Sequence, residues 1–311
     1  MTELRVAVEP QGIRDFIRDV VADAGGTVVD DLGDATALVW TDPGGDRGGP
    51  ERLKALIADH PQVRWVQLPW AGVEPYARAG VFDHDRLWTA GKGVYARPVA
   101  EHALGLALAG MRDLKRFSMA RSWGEQSGIS LVGGRVTIFG GGGITEELVP
   151  LLRPFDCTIT VVRRHARPME GVETVLDFAE RYQALKGADV VVLALALTPE
   201  TRGLVGEIEL ELMEPHAWLV NVARGEHVVT EDLVIALREN AIGGAALDVT
   251  DPEPLPEGHP LWELPNCIIT PHTANTEDMA IPLLSERIGE NVRRYIAGAP
   301  LLGVVDPDLG Y

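Results

Sequence analysis

Apolar residues recur along this chain in short runs separated by stretches of helical spacing. Leu4-Arg5-Val6-Ala7-Val8-Glu9 alternates and predicts a strand over 4–9, and Ala37–Trp40 and Val63–Leu68 predict two more. Between them, Arg14–Ala24 carries Phe16, Ile17, Val20 and Val21 on one helical face, and Pro50–Asp59 predicts a second helix. Asp42–Pro50 is rich in Gly, Pro and Asp and reads as loop. A second series follows Trp123, with strands expected at Arg135–Phe139, Thr158–Val162, Asp189–Leu195, Trp218–Val222, Gly244–Val249 and Cys267–Ile269. The best-marked helix is Thr230–Asn240, with Thr230 as N-cap, Glu231 and Asp232 in the first turn and Gly243 beyond the end. Strand–helix succession implies an α/β fold with parallel sheets, the second of them doubly wound in the dinucleotide-binding manner. Ile281–Gly298 is again helical and is expected to return to the first domain.

The chain has 311 residues, enough for two domains that each bury a core. With 46% hydrophobic and 24% charged residues it reads as globular. The most apolar segment, Val99–Met111, is interrupted by Glu101 and His102 and falls short of the roughly 20 residues that cross a bilayer. The start, Met1-Thr2-Glu3-Leu4-Arg5, lacks the pattern of a secretory signal, so none is expected. Cys157 and Cys267 sit in apolar runs and read as buried thiols in a reducing compartment, the cytoplasm; no Cys or His spacing suits a metal. The net charge of −18 argues against nucleic acid or an anionic membrane as partner. An anionic ligand would then need locally clustered cations.

Such a ligand is indicated by strand Val136–Phe139 running into Gly140-Gly141-Gly142-Gly143-Ile144-Thr145 and then a helix-like segment. A glycine run between strand and helix suits a dinucleotide: one glycine permits the tight turn, a second lets the backbone approach the pyrophosphate, and the helix N-terminus presents free N–H groups. In register these are Gly140 and Gly142, while the third, packing position is Thr145, whose branched side chain is expected to displace the helix slightly. The next strand ends in Arg163-Arg164, where a site for NAD carries Asp or Glu to bind the ribose 2′-hydroxyl. A guanidinium binds a 2′-phosphate instead, at about 1.5–3 kcal/mol per charge-assisted bond, so NADPH is expected over NADH.

Three further motifs end consecutive strands at the edge where such sheets bind ligands. Asn221-Val222-Ala223-Arg224-Gly225 offers Arg224, Asp248-Val249-Thr250-Asp251-Pro252-Glu253-Pro254-Leu255 offers Glu253, and Thr270-Pro271-His272-Thr273-Ala274 offers His272. A cation, a carboxylate and an imidazole are what reduction of a 2-keto acid requires.

With Leu197-Thr198-Pro199-Glu200-Thr201-Arg202-Gly203-Leu204 and His259-Pro260-Leu261-Trp262, these motifs resemble the D-isomer-specific 2-hydroxyacid dehydrogenases, in particular their short glyoxylate/hydroxypyruvate reductase-like branch, over nearly the whole chain. The resemblance implies that Arg224 binds the substrate carboxylate and keto oxygen and that His272 is the proton donor and acceptor. It implies that Glu253 raises the His272 pKa, and that Asp248 orients the nicotinamide carboxamide beside Val222 and Ala223. Pro69-Trp70-Ala71-Gly72-Val73-Glu74 is similar to the loop whose backbone holds the substrate carboxylate, with Trp70 and Glu74 where the family more often has a small residue and Asp. Trp70 there either narrows the pocket or simply packs. Arg97-Pro98-Val99-Ala100-Glu101-His102 resembles the start of the helix between domains, with Glu101 supporting a hinge.

The implied architecture is two Rossmann-like domains: a flavodoxin-like substrate domain, 1–97 and 280–311, and a dinucleotide-binding domain, 98–279. The active site is expected in the cleft. A homodimer through the cofactor domain is implied, with Trp123-Gly124 in the contributing segment. The expected function is NADPH-dependent reduction of a small 2-keto acid (glyoxylate, hydroxypyruvate or pyruvate-like) to the D-2-hydroxy acid. The alternative is a non-catalytic, NAD(P)-sensing corepressor-like relative. A formate dehydrogenase is disfavoured because that subfamily has Gln where Glu253 stands, and a long phosphoglycerate dehydrogenase because the chain ends at Tyr311 without an added regulatory domain.

Changing both Arg163 and Arg164 to Ala is expected to raise the KM for NADPH about a hundredfold while leaving that for NADH within a few-fold. Equal losses for both cofactors in parallel steady-state assays would refute the assignment.

Overall fold

The computed structural model describes residues 3–12, 14–42 and 49–310. Of the stretch read as loop, 43–48 lies outside the described residues, as do Met1 and Thr2 at the N-terminus. The chain divides into two compact units, Met1–Tyr95 with Thr276–Tyr311, and Ala96–Asn275.

The first unit holds a parallel sheet of β1 (Arg5–Glu9), β2 (Thr27–Val29), β3 (Ala37–Trp40), β4 (Trp65–Gln67) and β5 (Leu87–Thr89), in the order β2-β1-β3-β4-β5. The order reverses between β1 and β3, the flavodoxin-like arrangement. Alternate strand residues feed two cores. Val6, Val8, Ala37 and Val39 pack with Ile17 and Val21 of helix Phe16–Asp23 and with Leu284, Ile288 and Val292 of helix Glu277–Ile296. Ala7, Leu38 and Trp40 pack with Leu53 and Ile57 of helix Gly49–Ala58. Strands covered on both faces read as continuous apolar runs, which is why β3 was legible. Phe16, expected on the buried face, is 37% exposed. Ile17 and Val21 form the centre of the apolar stripe, and Phe16 lies at its edge in the first turn.

A buried polar chain ties the last helix to the sheet. Asn291 donates from Nδ2 to the Gln67 side-chain oxygen at 2.9 Å and to the Leu302 carbonyl at 3.0 Å, and accepts from the Leu302 N–H at 2.8 Å. The Thr89 hydroxyl donates to the same Gln67 oxygen and accepts from the Trp65 indole N–H.

The second unit holds seven parallel strands: β6 (Arg135–Phe139), β7 (Thr158–Arg163), β8 (Thr174–Asp177), β9 (Val190–Leu193), β10 (Trp218–Asn221), β11 (Gly244–Leu247) and β12 (Cys267–Ile269). Their order is β12-β11-β10-β9-β6-β7-β8, reversing between β6 and β9 as a dinucleotide-binding sheet does. The apolar segment interrupted by Glu101 and His102 is helix Ala96–Met111, whose Ala100, Ala103, Leu106 and Ala107 pack on Val136, Ile138, Val192 and Val220. No described helix is long and apolar enough to cross a membrane. Cys157 and Cys267 are buried and free.

Thr230 is the first residue of helix Thr230–Arg238, preceded by Val229 as cap; its hydroxyl donates to the Asp251 carbonyl at 2.7 Å and accepts from no N–H of the first turn among the described residues. The apolar pattern does not mark β2, β5 and β8, each of which lies at a sheet edge.

Asn291→Ala would leave the Leu302 N–H and carbonyl without their partner in a buried site. It is expected to destabilise the protein by about 1–3 kcal/mol and to lower its melting temperature by roughly 2–10 °C. A melting curve superimposable on that of the unaltered chain would contradict this.

Candidate active site

The glycine run leaves β6 at the point where the strand order reverses. Gly140 has φ +108°, and a Cβ there would lie 2.2 Å from the Ala194 carbonyl oxygen, so only glycine lets the chain turn this close to the strand beside it. A Cβ on Gly142 would meet nothing within 4 Å. Space therefore opens at the N-cap of helix Gly143–Leu152, whose first N–H groups are unspent and attract an anion. Ile144 is half-buried in the first turn. Thr145 is fully buried, and its hydroxyl donates to the Gly140 carbonyl at 2.8 Å. The hydroxyl thus braces the turn where a third glycine was looked for.

Arg163 ends β7 and lies across this loop: its Nε and guanidine carbon stand 3.0 Å from where a Cβ on Gly141 would be. Arg164 is exposed, and its charge reaches Glu200. The glycine turn, an open N-cap and a guanidinium thus share one end of the sheet. That donor set fits the pyrophosphate and ribose end of a dinucleotide.

The ends of β10, β11 and β12 carry the other candidates. Asn221 is fully buried, donating from Nδ2 to the Arg224 carbonyl at 2.8 Å and accepting from the Ala223 N–H at 3.0 Å, so one side chain shapes the 221–224 turn. Val222 and Ala223 are buried within it. A Cβ on Gly225 would lie 1.9 Å from the Thr250 carbonyl oxygen. Glycine is therefore required where this turn meets the backbone of the 250–255 segment, and the Arg224 charge acts on Glu253 of that segment.

His272 sits in the turn after β12 with φ +48°, a left-handed conformation that non-glycine residues seldom adopt. Asp248, only 2% exposed, holds that turn. Its Oδ1 accepts from the Thr270 hydroxyl at 2.6 Å and the Thr273 N–H at 2.9 Å, its Oδ2 accepts from the Ala274 N–H at 3.0 Å, and its carbonyl accepts from the His272 N–H at 2.8 Å. His102 of helix Ala96–Met111 places Nε2 at 3.3 Å from Oδ1 and 3.1 Å from the Thr270 hydroxyl. Burial works to raise the Asp248 carboxyl, but these donors outweigh it and hold the pKa down to about 2. The side chain that the resemblance set against the nicotinamide is thus occupied within its own fold.

His272 Nδ1 lies 2.7 Å from Glu253 Oε1, with both side chains about half exposed. The hydrogen bond to Glu253 raises the imidazole pKa above its ordinary value, against burial and the nearby Arg224 charge. Burial tends to raise the Glu253 carboxyl; the His272 hydrogen bond and charge exceed it, and the carboxyl is lowered. Each partner thus favours the charged form of the other, and Glu253 engages Nδ1 of the imidazole, not Nε2. Trp70, Ala71 and Gly72 belong to the first unit, at the carboxyl end of β4, where Gly91 donates to the Trp70 carbonyl at 2.8 Å.

His102, Thr270, Asn221 and Gly225 support the site without a sequence pattern that marks them for it. His102 stood beside Glu101 in a segment already singled out. Its signal was an imidazole interrupting an apolar helical face.

Residues 104–274 match the family model for the D-isomer specific 2-hydroxyacid dehydrogenase NAD binding domain. The chain is 39% identical over 255 residues to an uncharacterized protein of Corynebacterium melassecola, covering 80% of this chain and 84% of that one. It is 32% identical over 292 residues to glyoxylate/hydroxypyruvate reductase A of Photorhabdus laumondii, covering 88% and 87%. Its fold matches a D-isomer specific 2-hydroxyacid dehydrogenase from Xanthobacter autotrophicus Py2, solved with NADPH and MES, with a TM-score of 0.84 at 27% identity over the full length of both chains. The chain belongs to the D-isomer-specific 2-hydroxyacid dehydrogenase family.

The pH dependence of reduction tests the His272–Glu253 pair. A raised pKa keeps the imidazole charged to higher pH, so activity that needs the imidazolium persists below that pKa and falls as pH rises through it. Glu253→Gln removes the largest raising influence. It is expected to move the alkaline limb of the rate profile to lower pH, with a loss of tenfold or more at about pH 8 that narrows toward about pH 5.5. Superimposable limbs in the two proteins would contradict the role.

Proposed function

Taking family membership as the premise, we propose that this protein uses NADPH in preference to NADH to reduce a small 2-keto acid of the glyoxylate, hydroxypyruvate or pyruvate type to the D-2-hydroxy acid. The observation that carries the reading is the 2.7 Å contact between His272 and Glu253, with the Arg224 charge acting on both groups. When bound, the nicotinamide supplies the hydride. Arg224 grips the substrate carboxylate and draws charge toward the keto oxygen; its fork suits a planar anion better than a lysine would. His272, charged through Glu253, gives the proton from Nε2 to that oxygen. Trp70, Ala71 and Gly72 contact the substrate, the last two through backbone N–H groups.

Gly140, Gly142, Gly143, Ile144 and Thr145 form the pyrophosphate turn, and Val222, Ala223 and Asp248 border the nicotinamide end. Arg163 and Arg164 are assigned to the 2′-phosphate; the guanidinium lying across Gly141 supports this. We further propose a homodimer in the cytoplasm. Trp123 is 100% exposed in the single chain, and Met119 and Val132, in the same segment of the sequence, are 67% and 64% exposed; a second copy would cover such exposed apolar side chains. Two buried free thiols suit a reducing compartment.

The test is oxidation of NADPH and NADH, followed at 340 nm, with a panel of 2-keto acids. Turnover of glyoxylate or hydroxypyruvate with NADPH is expected, and His272→Gln should lower it about a hundred- to ten-thousand-fold while changing NADPH binding less than about threefold. NADPH binding without turnover of any 2-keto acid would overturn the assignment.

A further inference from the structure

We propose that Arg14 is a specificity-determining positioning residue, which holds the Trp70 indole in place and thereby limits the size of the 2-keto acid side chain accepted. The inference rests on the reading of the 69–74 loop as substrate-binding.

Arg14 follows β1 at the carboxyl end of the first unit's sheet, where the strand order reverses and ligands of such sheets are bound. Three features of this residue are unfavourable taken alone. Its backbone is left-handed, with φ +56°. Its guanidinium side chain is only 5% exposed. Its Nη1 is buried with no hydrogen-bond acceptor among the described residues. A conformation strained on several counts persists where its surroundings demand it, and such positions gather at functional sites. Two contacts offset the burial. Nη2 and Nε approach Glu277 Oε1 at 3.0 and 3.3 Å, and the guanidine carbon lies 5.0 Å from the centroid of the Trp70 ring.

Trp70 is gripped from other sides as well. The Tyr95 ring lies 5.9 Å from it, and the Tyr95 hydroxyl donates to the Pro69 carbonyl at 2.6 Å. Burial pushes that hydroxyl up to about 12, with the charges of Arg14 and Arg287 opposing. The Gly91 N–H fixes the Trp70 carbonyl, and a Cβ on Gly91 would lie 2.8 Å from the Pro69 oxygen. Residues 91–95 thus set the backbone of the loop, while Arg14 sets the ring. A planar guanidinium can stack on an indole and fork to a carboxylate together; an ammonium cannot hold both geometries. A fixed indole admits glyoxylate-sized substituents and turns away branched or aromatic ones, and a loosened indole turns them away less.

The experiment compares kcat/KM for glyoxylate and phenylpyruvate, with saturating NADPH, in the full chain and in Arg14→Met, Arg14→Lys, Glu277→Gln, Trp70→Ala and the Arg14→Met/Trp70→Ala double variant. Arg14→Met is expected to lower the glyoxylate preference at least tenfold, mainly through KM. Arg14→Lys and Glu277→Gln should give smaller shifts in the same direction, and the double variant should shift no further than Trp70→Ala alone. The Trp70 resonance in 5-fluorotryptophan-labelled protein, assigned by its loss in Trp70→Ala, should broaden or move in Arg14→Met. A preference changed by Trp70→Ala but unchanged by Arg14→Met and Glu277→Gln, or an unmoved Trp70 resonance, would overturn the clamp and leave the loop's role standing. A preference unchanged by Trp70→Ala itself would overturn the reading of the loop, and the selectivity inference with it. If Arg14→Met fails to fold, Glu277→Gln carries the same two readouts.

Discussion

One buried carboxylate organises the proposed chemistry. Asp248 receives the Thr270 hydroxyl and the Thr273 and Ala274 N–H groups on its two oxygens, and its backbone carbonyl receives the His272 N–H. A carboxylate so solvated by fixed donors stays ionised when dry. In return it holds a short turn in which His272 has positive φ, and that conformation aims Nδ1 at Glu253. Strain in the turn and charge in the interior are tolerated because each satisfies the other.

The neighbouring constraint is steric. At Gly225 the backbone comes so close to Thr250 that no side chain fits, and Asn221 folds the preceding turn on itself. Arg224 is thereby carried to the segment bearing Glu253. Thr230 secures that segment from the next helix through its bond to the Asp251 carbonyl. Arg224 at this edge is placed by uncharged groups, the Gly225 backbone and the buried Asn221 amide. The same logic governs the glycine turn, where Gly140 makes the bend and the buried Thr145 braces it.

Interior strands are legible in the sequence because strands buried on both faces, such as β3 and β9, are written as unbroken apolar runs. Thr27–Val29, Leu87–Thr89 and Thr174–Asp177 are edge strands of three or four residues, held from one side and partly exposed, so neither alternation nor length marks them. β12 is also an edge and as short, but its apolar residues stand out against the Thr270-Pro271-His272 turn that follows. At the site, Arg224, Glu253 and His272 could be picked out because each is a charged or titratable residue at a strand's end. The supporting residues could not. His102 and Asn221 act through contacts with residues 168 and 3 positions away, and only the fold shows which of such contacts form. The helical spacing predicts Arg14 inside a helix, whereas it precedes Phe16–Asp23, in a backbone state that local sequence does not announce.

The Asp248 carboxylate, by its charge and its acceptors, holds the His272 turn. Hydrogen exchange at the Thr273 and Ala274 amides measures this directly, in the full chain and in Asp248→Asn, which keeps the volume and removes the charge. The two amides are expected to lose protection by about ten- to a hundredfold in the variant, the equivalent of charge-assisted hydrogen bonds worth about 1.5–3 kcal/mol. Equal protection in both proteins would show that the turn stands without the carboxylate.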